Sequence, residues 1–498
     1  MKNITIDNLL RVSGGILNCR KTEIDRYREA KGACIDSRLV KEDYIFFATK
    51  GERVDGHDYI ASAFEKGALA VICERVPDGV DGPCIVVKDS LTALRDVAEF
   101  YRKGLDLKVV GITGSVGKTS TKEFIASVLS QKFRVLKTEG NFNNEIGLPL
   151  TVFRLTEEDE VAVLEMGISD FGEMTRLAKI ARPDVAVITN IGQCHLEQLG
   201  DRDGVLSAKT EIFKYLKEDG TACLFADDDK LSTIKEVNGK KPVFFGSSKE
   251  LQIHPLSVNP KGLLGSDCTI CSGEMIFPIH IPLPGAHRIY NALAAIAVGS
   301  VFGLTEQEMA AGIEQVRATE GRGNVIQTEK LIILDDCYNA NPVSMNAALD
   351  LLSLAEGQKV AILGDMFELG SNEAWLHEGV GKYAVKKEVD VLICIGELAK
   401  NIYDGALEEE KSSADSYLTG IEKHLNDGEY LSNLLAGNKK EGSDGEPETA
   451  ERLPIYYYKT KEEFFGYMKE IIQDGDAVLV KASHGMHFEE IVAALKEL

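Results

Sequence analysis

A short apolar run, Lys108-Val109-Val110, leads into Gly111-Ile112-Thr113-Gly114-Ser115-Val116-Gly117-Lys118-Thr119-Ser120-Thr121 and then into a helical repeat. This feature constrains the fold more than any other. A strand that turns through glycines into a helix belongs to an α/β layer structure, because the helix must pack back on the sheet that the strand enters. The spacing predicts a helix over 119–133, with Phe124, Ile125, Val128 and Leu129 on one face. Glycines at 111, 114 and 117 let backbone N–H groups curl around phosphate oxygens, and the helix N-terminus adds partial positive charge. The strict phosphate-loop pattern asks for glycine where Ile112 stands, so this is a variant loop. Gly114, Ser115, Gly117, Lys118, Thr119 and Ser120 are its candidate nucleotide-binding residues. Lys118 is placed to reach the β and γ phosphates, and the Thr119 hydroxyl to ligate Mg²⁺.

The rest of the chain alternates in the same way. Residues 1–88 read as a small mixed α/β unit, with strands at Tyr44 to Ala48, Ala68 to Cys73 and Cys84 to Val87 and a helix at Tyr59 to Lys66. A helix over Leu91 to Tyr101 precedes the glycine loop. Val161 to Leu164, Val185 to Ile188 and Ala222 to Phe225 are apolar on both faces, as strands of a covered parallel sheet are. A second α/β block starts near residue 321, with strands at Leu331 to Leu334, Val360 to Leu363, Val391 to Ile395 and Ala477 to Val480. The polar stretch 405–453 reads as a helix or two and a mobile loop around Gly437 to Glu448. At about 100–200 residues per domain, 498 residues accommodate two to four domains.

Composition removes several function classes. A formal charge of -23 argues against a nucleic-acid or membrane-surface binder, which needs a basic face. No apolar run approaches the ~20 residues of a membrane span, and the N-terminus lacks the basic start and apolar core of a signal peptide, so a cytoplasmic protein is expected. Ten scattered Cys fit reduced thiols better than a disulfide scaffold. Cys268-Thr269-Ile270-Cys271 has no second ligand pair nearby, so it reads as two strand thiols. Nothing in the sequence points beyond a monomer.

Three further residues stand out at strand exits or beyond. Glu165 follows the strand Val161 to Leu164, His195 follows Val185 to Ile188, and Lys209 sits in Ala208-Lys209-Thr210-Glu211-Ile212. Taken singly, they are a strand-end charge, a structural histidine and a solvated lysine. Taken together with Gly117-Lys118-Thr119-Ser120, their order and spacing resemble the Mur ligases, a family that includes the folylpolyglutamate synthases. The resemblance covers nearly the whole chain. It implies an N-terminal UDP-sugar-binding domain (1–88), a central P-loop-type ATPase domain with a mostly parallel sheet (89–320) and a C-terminal Rossmann-like α/β domain (321–498). It also implies two Mg²⁺, one held by Thr119 and Glu165 and the other served by His195 and a Lys209 that carries CO₂ as a carbamate. Lys118, Glu165, His195 and Lys209 are then the catalytic set. Only a lysine able to lose its proton reacts with CO₂, so Lys209 must have a depressed pKa.

The same resemblance assigns further sites. Asp36-Ser37-Arg38, the run Phe46 to Gly51 and Asp55-Gly56-His57 look like uridine-diphosphate-binding segments, giving Ser37, Arg38, Thr49, Lys50, Asp55, Gly56 and His57 as substrate contacts. Asn143 and Asn144 fall in a substrate-facing loop, Asn141 to Thr151. His287 and Asn291 fall in the segment that reaches adenine, and Arg322 and Asp336 are placed near the nucleotide. The segment Tyr338-Asn339-Ala340-Asn341-Pro342 replaces a histidine form typical of sister ligases, and is similar to the branch that adds a dipeptide. Asn339 and Asn341 would shape that site. The implied reaction is ATP-dependent joining of D-alanyl-D-alanine to UDP-N-acetylmuramoyl-tripeptide through an acyl phosphate, with small-molecule partners only. Rival readings are a ligase adding a single amino acid, glutamate addition to folate, and a nucleotide-dependent switch. The absence of N-K-x-D and T-K-x-D from the sequence leaves a guanine-selective switch without a basis.

Overall fold

The computed structural model describes residues 1–20, 24–51, 54–318, 321–425 and 453–498. The chain divides into two compact units: residues 1–259, 267–281 and 287–316 form one, and 260–266, 282–286 and 317–498 the other. Among the described residues there are three sheets, all mixed α/β layers.

The first sheet contains β1 (Ile16–Asn18), β2 (Gly32–Cys34), β3 (Tyr44–Phe47), β4 (Ala70–Cys73) and β5 (Cys84–Val86) in the order β1-β5-β4-β3-β2. Only β1 runs antiparallel to its neighbour. The expected helix at 59–66 forms as a 3₁₀ turn, Gly56–Tyr59, continued by an α-helix, Ile60–Glu65. A helix over Ser90–Lys103, capped by the Asp89 carboxylate on the Thr92 N–H, leads to the second sheet.

That sheet contains β6 (Lys108–Thr113), β7 (Val135–Lys137), β8 (Val161–Glu165), β9 (Val185–Ile188), β10 (Thr221–Phe225), β11 (Val243–Phe245), β12 (Ile253–Pro260), β13 (Ser266–Ser272) and β14 (Met275–Ile281). Its order is β14-β13-β12-β11-β10-β9-β6-β8-β7, and the pairs from β7 to β12 are parallel. The chain goes from β6 to β7 and β8 on one side and then crosses to β9 on the other. Ligands of open α/β sheets lie outside the carboxyl ends of strands at such a reversal. The Lys118–Leu129 helix covers this sheet, and Phe124, Ile125, Val128 and Leu129 are fully buried. At ~1.5–3 kcal/mol for each such side chain, this face anchors the glycine loop at the helix N-terminus.

The third sheet contains β15 (Asn324–Gln327), β16 (Ile332–Asp335), β17 (Lys359–Gly364), β18 (Val391–Ile395), β19 (Ile455–Tyr458) and β20 (Ala477–Lys481), in the order β15-β16-β20-β17-β18-β19. All pairs but β15–β16 are parallel. Its strands feed two cores: Ala361, Leu363 and Leu392 enter one, while Val360, Ile362 and Ile393 enter the other. Side chains alternate across a strand, so a sheet covered on both faces needs apolar residues at every position.

Runs apolar on both faces were therefore readable in sequence. The strands not foreseen are short or half-exposed. β1 and β7 have three residues each, and β13 alternates between buried and accessible positions. Cys268 and Cys271 lie on β13, and none of the ten cysteines forms a disulfide. Part of the 405–453 stretch belongs to a helix, Ala399–Leu425, and the loop expected at Gly437 to Glu448 lies outside the described residues. Among the described residues no helix is long and apolar enough to cross a membrane.

Candidate functional site

The glycine loop is tied along its length to the segment that follows β9. The Ser115 N–H donates to the Asn190 carbonyl (3.1 Å) and the Val116 N–H to Asn190 Oδ1 (2.9 Å). The Val116 carbonyl accepts from the Thr189 hydroxyl (2.7 Å) and from Asn190 Nδ2 (2.9 Å). Ser115 Oγ accepts from the Gly192 N–H (2.8 Å) and from Cys194 Sγ (3.2 Å). Glycine is required at 114: φ is 151°, and a Cβ there would lie 1.9 Å from Thr189 Oγ1. Gly117 begins the helix in the left-handed region, at φ 80°. Lys118 folds back over the loop, its Nζ donating to the carbonyls of Gly114 (2.9 Å) and Ser115 (3.3 Å). Thr119 is buried, Ser120 Oγ accepts from Arg288 Nη1 (2.7 Å), and Thr121 Oγ1 donates to Asn291 Oδ1 (3.2 Å). Asn291 Nδ2 is buried with no hydrogen-bond partner.

Glu165 ends β8, beside the loop, and is 1% exposed. Its Oε1 accepts from Asn143 Nδ2 (2.8 Å), and its N–H donates to Thr138 Oγ1 (3.0 Å). Its Oε2 is buried without a hydrogen-bond partner. A carboxylate oxygen withdrawn from water without a donor is costly to leave so, and a cation would offset that cost. His195 begins a short helix in the left-handed conformation, at φ 52°. Backbone held in that region by a residue other than glycine is strained, and such strain concentrates at functional sites. Lys209 is 1% exposed. Burial, reinforced by the nearby Lys118 ammonium, lowers its pKa to about 7.

A cavity of about 490 Å³ opens here. Lys118, Asn143, Asn144 and His195 face it, together with Arg95, Glu145 and Glu173. Glu145 bridges Arg95 Nη1 (2.6 Å) and Arg176 Nη2 (3.0 Å). Asn144 Oδ1 also accepts from the N–H of Gly147 (2.8 Å), the first residue of the following helix.

The N-terminal segments form turns at the strand ends. Asp36 holds Arg38 through paired bonds, Nε to Oδ1 (3.0 Å) and Nη2 to Oδ2 (2.7 Å), and the Ser37 carbonyl accepts from Lys66 Nζ (2.8 Å). The main chains of Lys50 and Asp55 pair as an isolated antiparallel β-bridge, and the Gly56 N–H donates to the Thr49 carbonyl (2.9 Å). Asp55 lies well below the usual carboxylate range because the His57 N–H and then Arg75 donate to it. His57 is 2% exposed. Its Nε2 accepts from the Glu74 N–H (2.9 Å), so Nδ1 carries the proton that meets Asp55 Oδ1 at 2.6 Å.

In the other unit, the loop after β16 is fixed by Lys481 at the end of β20. Lys481 is 1% exposed, and its Nζ meets Asp336 Oδ2 (2.5 Å) and the Asn339 carbonyl (2.9 Å). Arg322 lies over the Tyr338 ring at 4.0 Å, and Tyr338 stacks on His484 with centroids 5.0 Å apart. Asn341 Oδ1 accepts from the Ser344 N–H (2.9 Å) and caps the Pro342–Leu352 helix, while Asn339 is exposed.

Three domain profiles match this chain: a Mur ligase family catalytic domain over residues 29–102, a Mur ligase middle domain over 112–299, and a Mur ligase glutamate ligase domain over 321–484. The chain belongs to the Mur ligase family. It is similar to the UDP-N-acetylmuramoyl-tripeptide–D-alanyl-D-alanine ligase of Bacillus subtilis, at 38% identity over 94% of this chain and 93% of that protein. Its similarity to the Escherichia coli protein of the same name is 34% over 86% of this chain and 90% of that one. Crystal structure I of MurF from Acinetobacter baumannii superposes with a TM-score of 0.82, at 28% identity and 99% coverage of both chains. The Thermotoga maritima MurF ligase in complex with ADP gives a TM-score of 0.76 at 27% identity, covering 94% of this chain and 97% of that one.

Measured against the residues that the Mur ligase resemblance singled out, the structure gathers most of the central set. Lys118, Asn143, Asn144 and His195 share one cavity, Glu165 joins it through Asn143, and Lys209 lies within electrostatic reach of Lys118. His287 is exposed at the start of the Arg288–Val301 helix, whose Asn291 reaches the glycine-loop helix. Two residues expected to touch substrate also have local duties. Both ring nitrogens of His57 are occupied, and the side-chain oxygen of Asn341 is a helix cap. The pairing of Asn341 with Pro342 already carried that signal, since Pro favours the first helical position. Arg95, Glu145 and Glu173 were not foreseen in the cavity lining. No short motif marks Arg95 or Glu173, whereas Glu145 lies within the Asn141 to Thr151 segment.

Proposed function

We propose that this chain is an ATP-dependent ligase that adds D-alanyl-D-alanine to UDP-N-acetylmuramoyl-tripeptide in peptidoglycan precursor synthesis. The observation that carries the reading is one cavity at the carboxyl ends of β6, β8 and β9, lined by Lys118, Asn143 and His195 beside a buried Lys209. The names of full-length relatives support the substrates.

A free carboxylate is a poor acyl donor because oxide would have to leave. Transfer of the γ-phosphoryl group of ATP to it gives an acyl phosphate, which the amine of D-alanyl-D-alanine then attacks, expelling phosphate. The N–H groups of Gly117 and Lys118 at the helix N-terminus and the Lys118 ammonium hold the phosphates and balance the charge gathering on them. Lys118 must leave the Gly114 and Ser115 carbonyls to do so. Asn143 orients Glu165, and His195 faces the same space. Thr119 and Glu165 fit one Mg²⁺, and the orphaned Glu165 Oε2 supports this assignment. His195 and Lys209 would serve a second. When bound, the metal ions supply Lewis-acid neutralisation of the phosphoryl oxygens. Lys209, half neutral near pH 7, is chemically able to accept CO₂ as a carbamate. Among the described residues no three His, Cys, Asp or Glu side chains gather around one point. This donor set suits Mg²⁺, which takes one or two carboxylates and otherwise phosphates and water.

In this reading residues 1–88 hold the uridine diphosphate through the turns around Ser37, Arg38, Thr49, Lys50, Asp55, Gly56 and His57. Residues 89–320 hold ATP, with His287 and Asn291 toward the base. Residues 321–498 bring the dipeptide, with Arg322 and Asp336 toward the nucleotide and Asn339 and Asn341 shaping the junction with the central domain. The enzyme works as a cytoplasmic monomer. Phosphate release from ATP, UDP-N-acetylmuramoyl-tripeptide and D-alanyl-D-alanine tests it. Product with the summed mass of the two substrates less one water must form, and leaving out the dipeptide must stop turnover. Equal turnover with a single amino acid or with a folate and glutamate would refute the assignment.

A further inference from the structure

Lys122 is a buried cation that the proposed chemistry does not use. It lies one turn beyond Lys118 on the Lys118–Leu129 helix and is 2% exposed. Its Nζ donates to the Thr138 carbonyl (2.7 Å) and pairs with Glu123 (3.0 Å), which also pairs with Lys137. Thr138 directly follows β7 and is fully buried. All three of its polar groups are engaged. The N–H donates to the Val163 carbonyl on β8 (3.0 Å), the carbonyl accepts from Lys122, and Oγ1 accepts from the Glu165 N–H (3.0 Å). Glu165 is thus held twice, at its main chain by Thr138 and at Oε1 by Asn143, and Oε2 is left as the sole uncommitted oxygen.

We infer that Lys122 and Thr138 are positioning residues, which fix Glu165 so that Oε2 points at a divalent cation on the nucleotide. Glu123 offsets part of the desolvation cost of this buried ammonium, and the shorter contact of Nζ is to the Thr138 carbonyl. Anchoring the Thr138 main chain gives it a purpose, because a shift of Thr138 moves its hydroxyl and with it the Glu165 backbone. The arrangement places the helix that carries the phosphate loop and the strand that carries the carboxylate in fixed register. Groups that orient a metal ligand from behind typically change metal affinity by ~10–100-fold when removed.

The inference rests on Glu165 as a cation ligand, so its test includes that residue. ADP affinity is measured by calorimetry on the full chain with MgCl₂ and again with EDTA, for wild type, Lys122→Met, Thr138→Val and Glu165→Gln. The ratio of the two affinities is the Mg²⁺-dependent gain. We expect Lys122→Met and Thr138→Val each to cut that gain roughly tenfold or more, leaving ADP affinity in EDTA unchanged. A purely structural role would lower both affinities together and would overturn the inference, as would an unchanged gain. If Lys122→Met does not fold, Thr138→Val decides, since that exchange nearly preserves volume. A gain unaffected in Glu165→Gln overturns the reading of Glu165 itself. A gain lost in Glu165→Gln but kept in the other two overturns only the positioning role.

Discussion

Replacing Lys209 with Met should make the ligand-free protein more stable at neutral pH while destroying its activity. Lys209 titrates near pH 7 in the folded chain, against 10.5 when unperturbed, because burial and the Lys118 ammonium disfavour its charge. Between those two values the unfolded chain holds a proton that the folded chain has released, so stability rises with pH across this window. The slope is about 1.4 kcal/mol per pH unit, and integration over both titrations gives about 2 kcal/mol between pH 7 and pH 9. At pH 7 the remaining penalty is about 4 kcal/mol, which the Met side chain would not carry. Urea unfolding in bicarbonate-free buffer, read by hydrogen exchange on peptides from β6, β8 and β9, confines the measurement to the unit that contains residue 209. Wild type should gain about 2 kcal/mol more than Lys209→Met between pH 7 and 9. Parallel pH profiles would show that Lys209 is not held neutral, and would remove the basis for its reaction with CO₂.

Lys118→Ala should lower ligation by at least roughly 10²–10³-fold, measured as phosphate release, because an electrostatic contact to the transferring group is lost. Lys209→Ala should be inactive and partly rescued by short carboxylates that stand in for a carbamate; normal unrescued turnover would exclude Lys209 from the reaction. Gly114→Ala forces a Cβ to within 1.9 Å of Thr189 Oγ1 at φ 151°, so ADP binding by calorimetry should be severely weakened. Lys481→Met leaves the Asp336 carboxylate unpaired beneath its loop and should destabilise the C-terminal unit by roughly 2–4 kcal/mol, seen in hydrogen exchange of β16 and β20.

What could be read from sequence follows from where information is local. Val161 to Glu165 and Val185 to Ile188 announce buried strands because every position is apolar until the functional residue. The glycines at 114 and 117 mark backbone conformations that other residues resist. The half-exposed β12 to β14 carry no such uniform signal. The partners that shape the site also stayed hidden. Asn143 on Glu165, Glu74 on His57 and Thr138 on Glu165 join residues 22, 17 and 27 positions apart, and no spacing rule connects them. Lys209 was legible as a candidate only by resemblance, and its depressed pKa comes from burial that its own segment does not reveal.

The bonds from Thr189, Asn190, Gly192 and Cys194 to the loop at Ser115 and Val116 have a thermodynamic consequence. A disordered loop of this kind would lose roughly 1–2 kcal/mol of chain entropy per residue on closing around a ligand. Here that ordering is complete before any nucleotide arrives. The heat and entropy of nucleotide capture should therefore report the displacement of Lys118 from its two carbonyls and the release of water, with little contribution from loop folding.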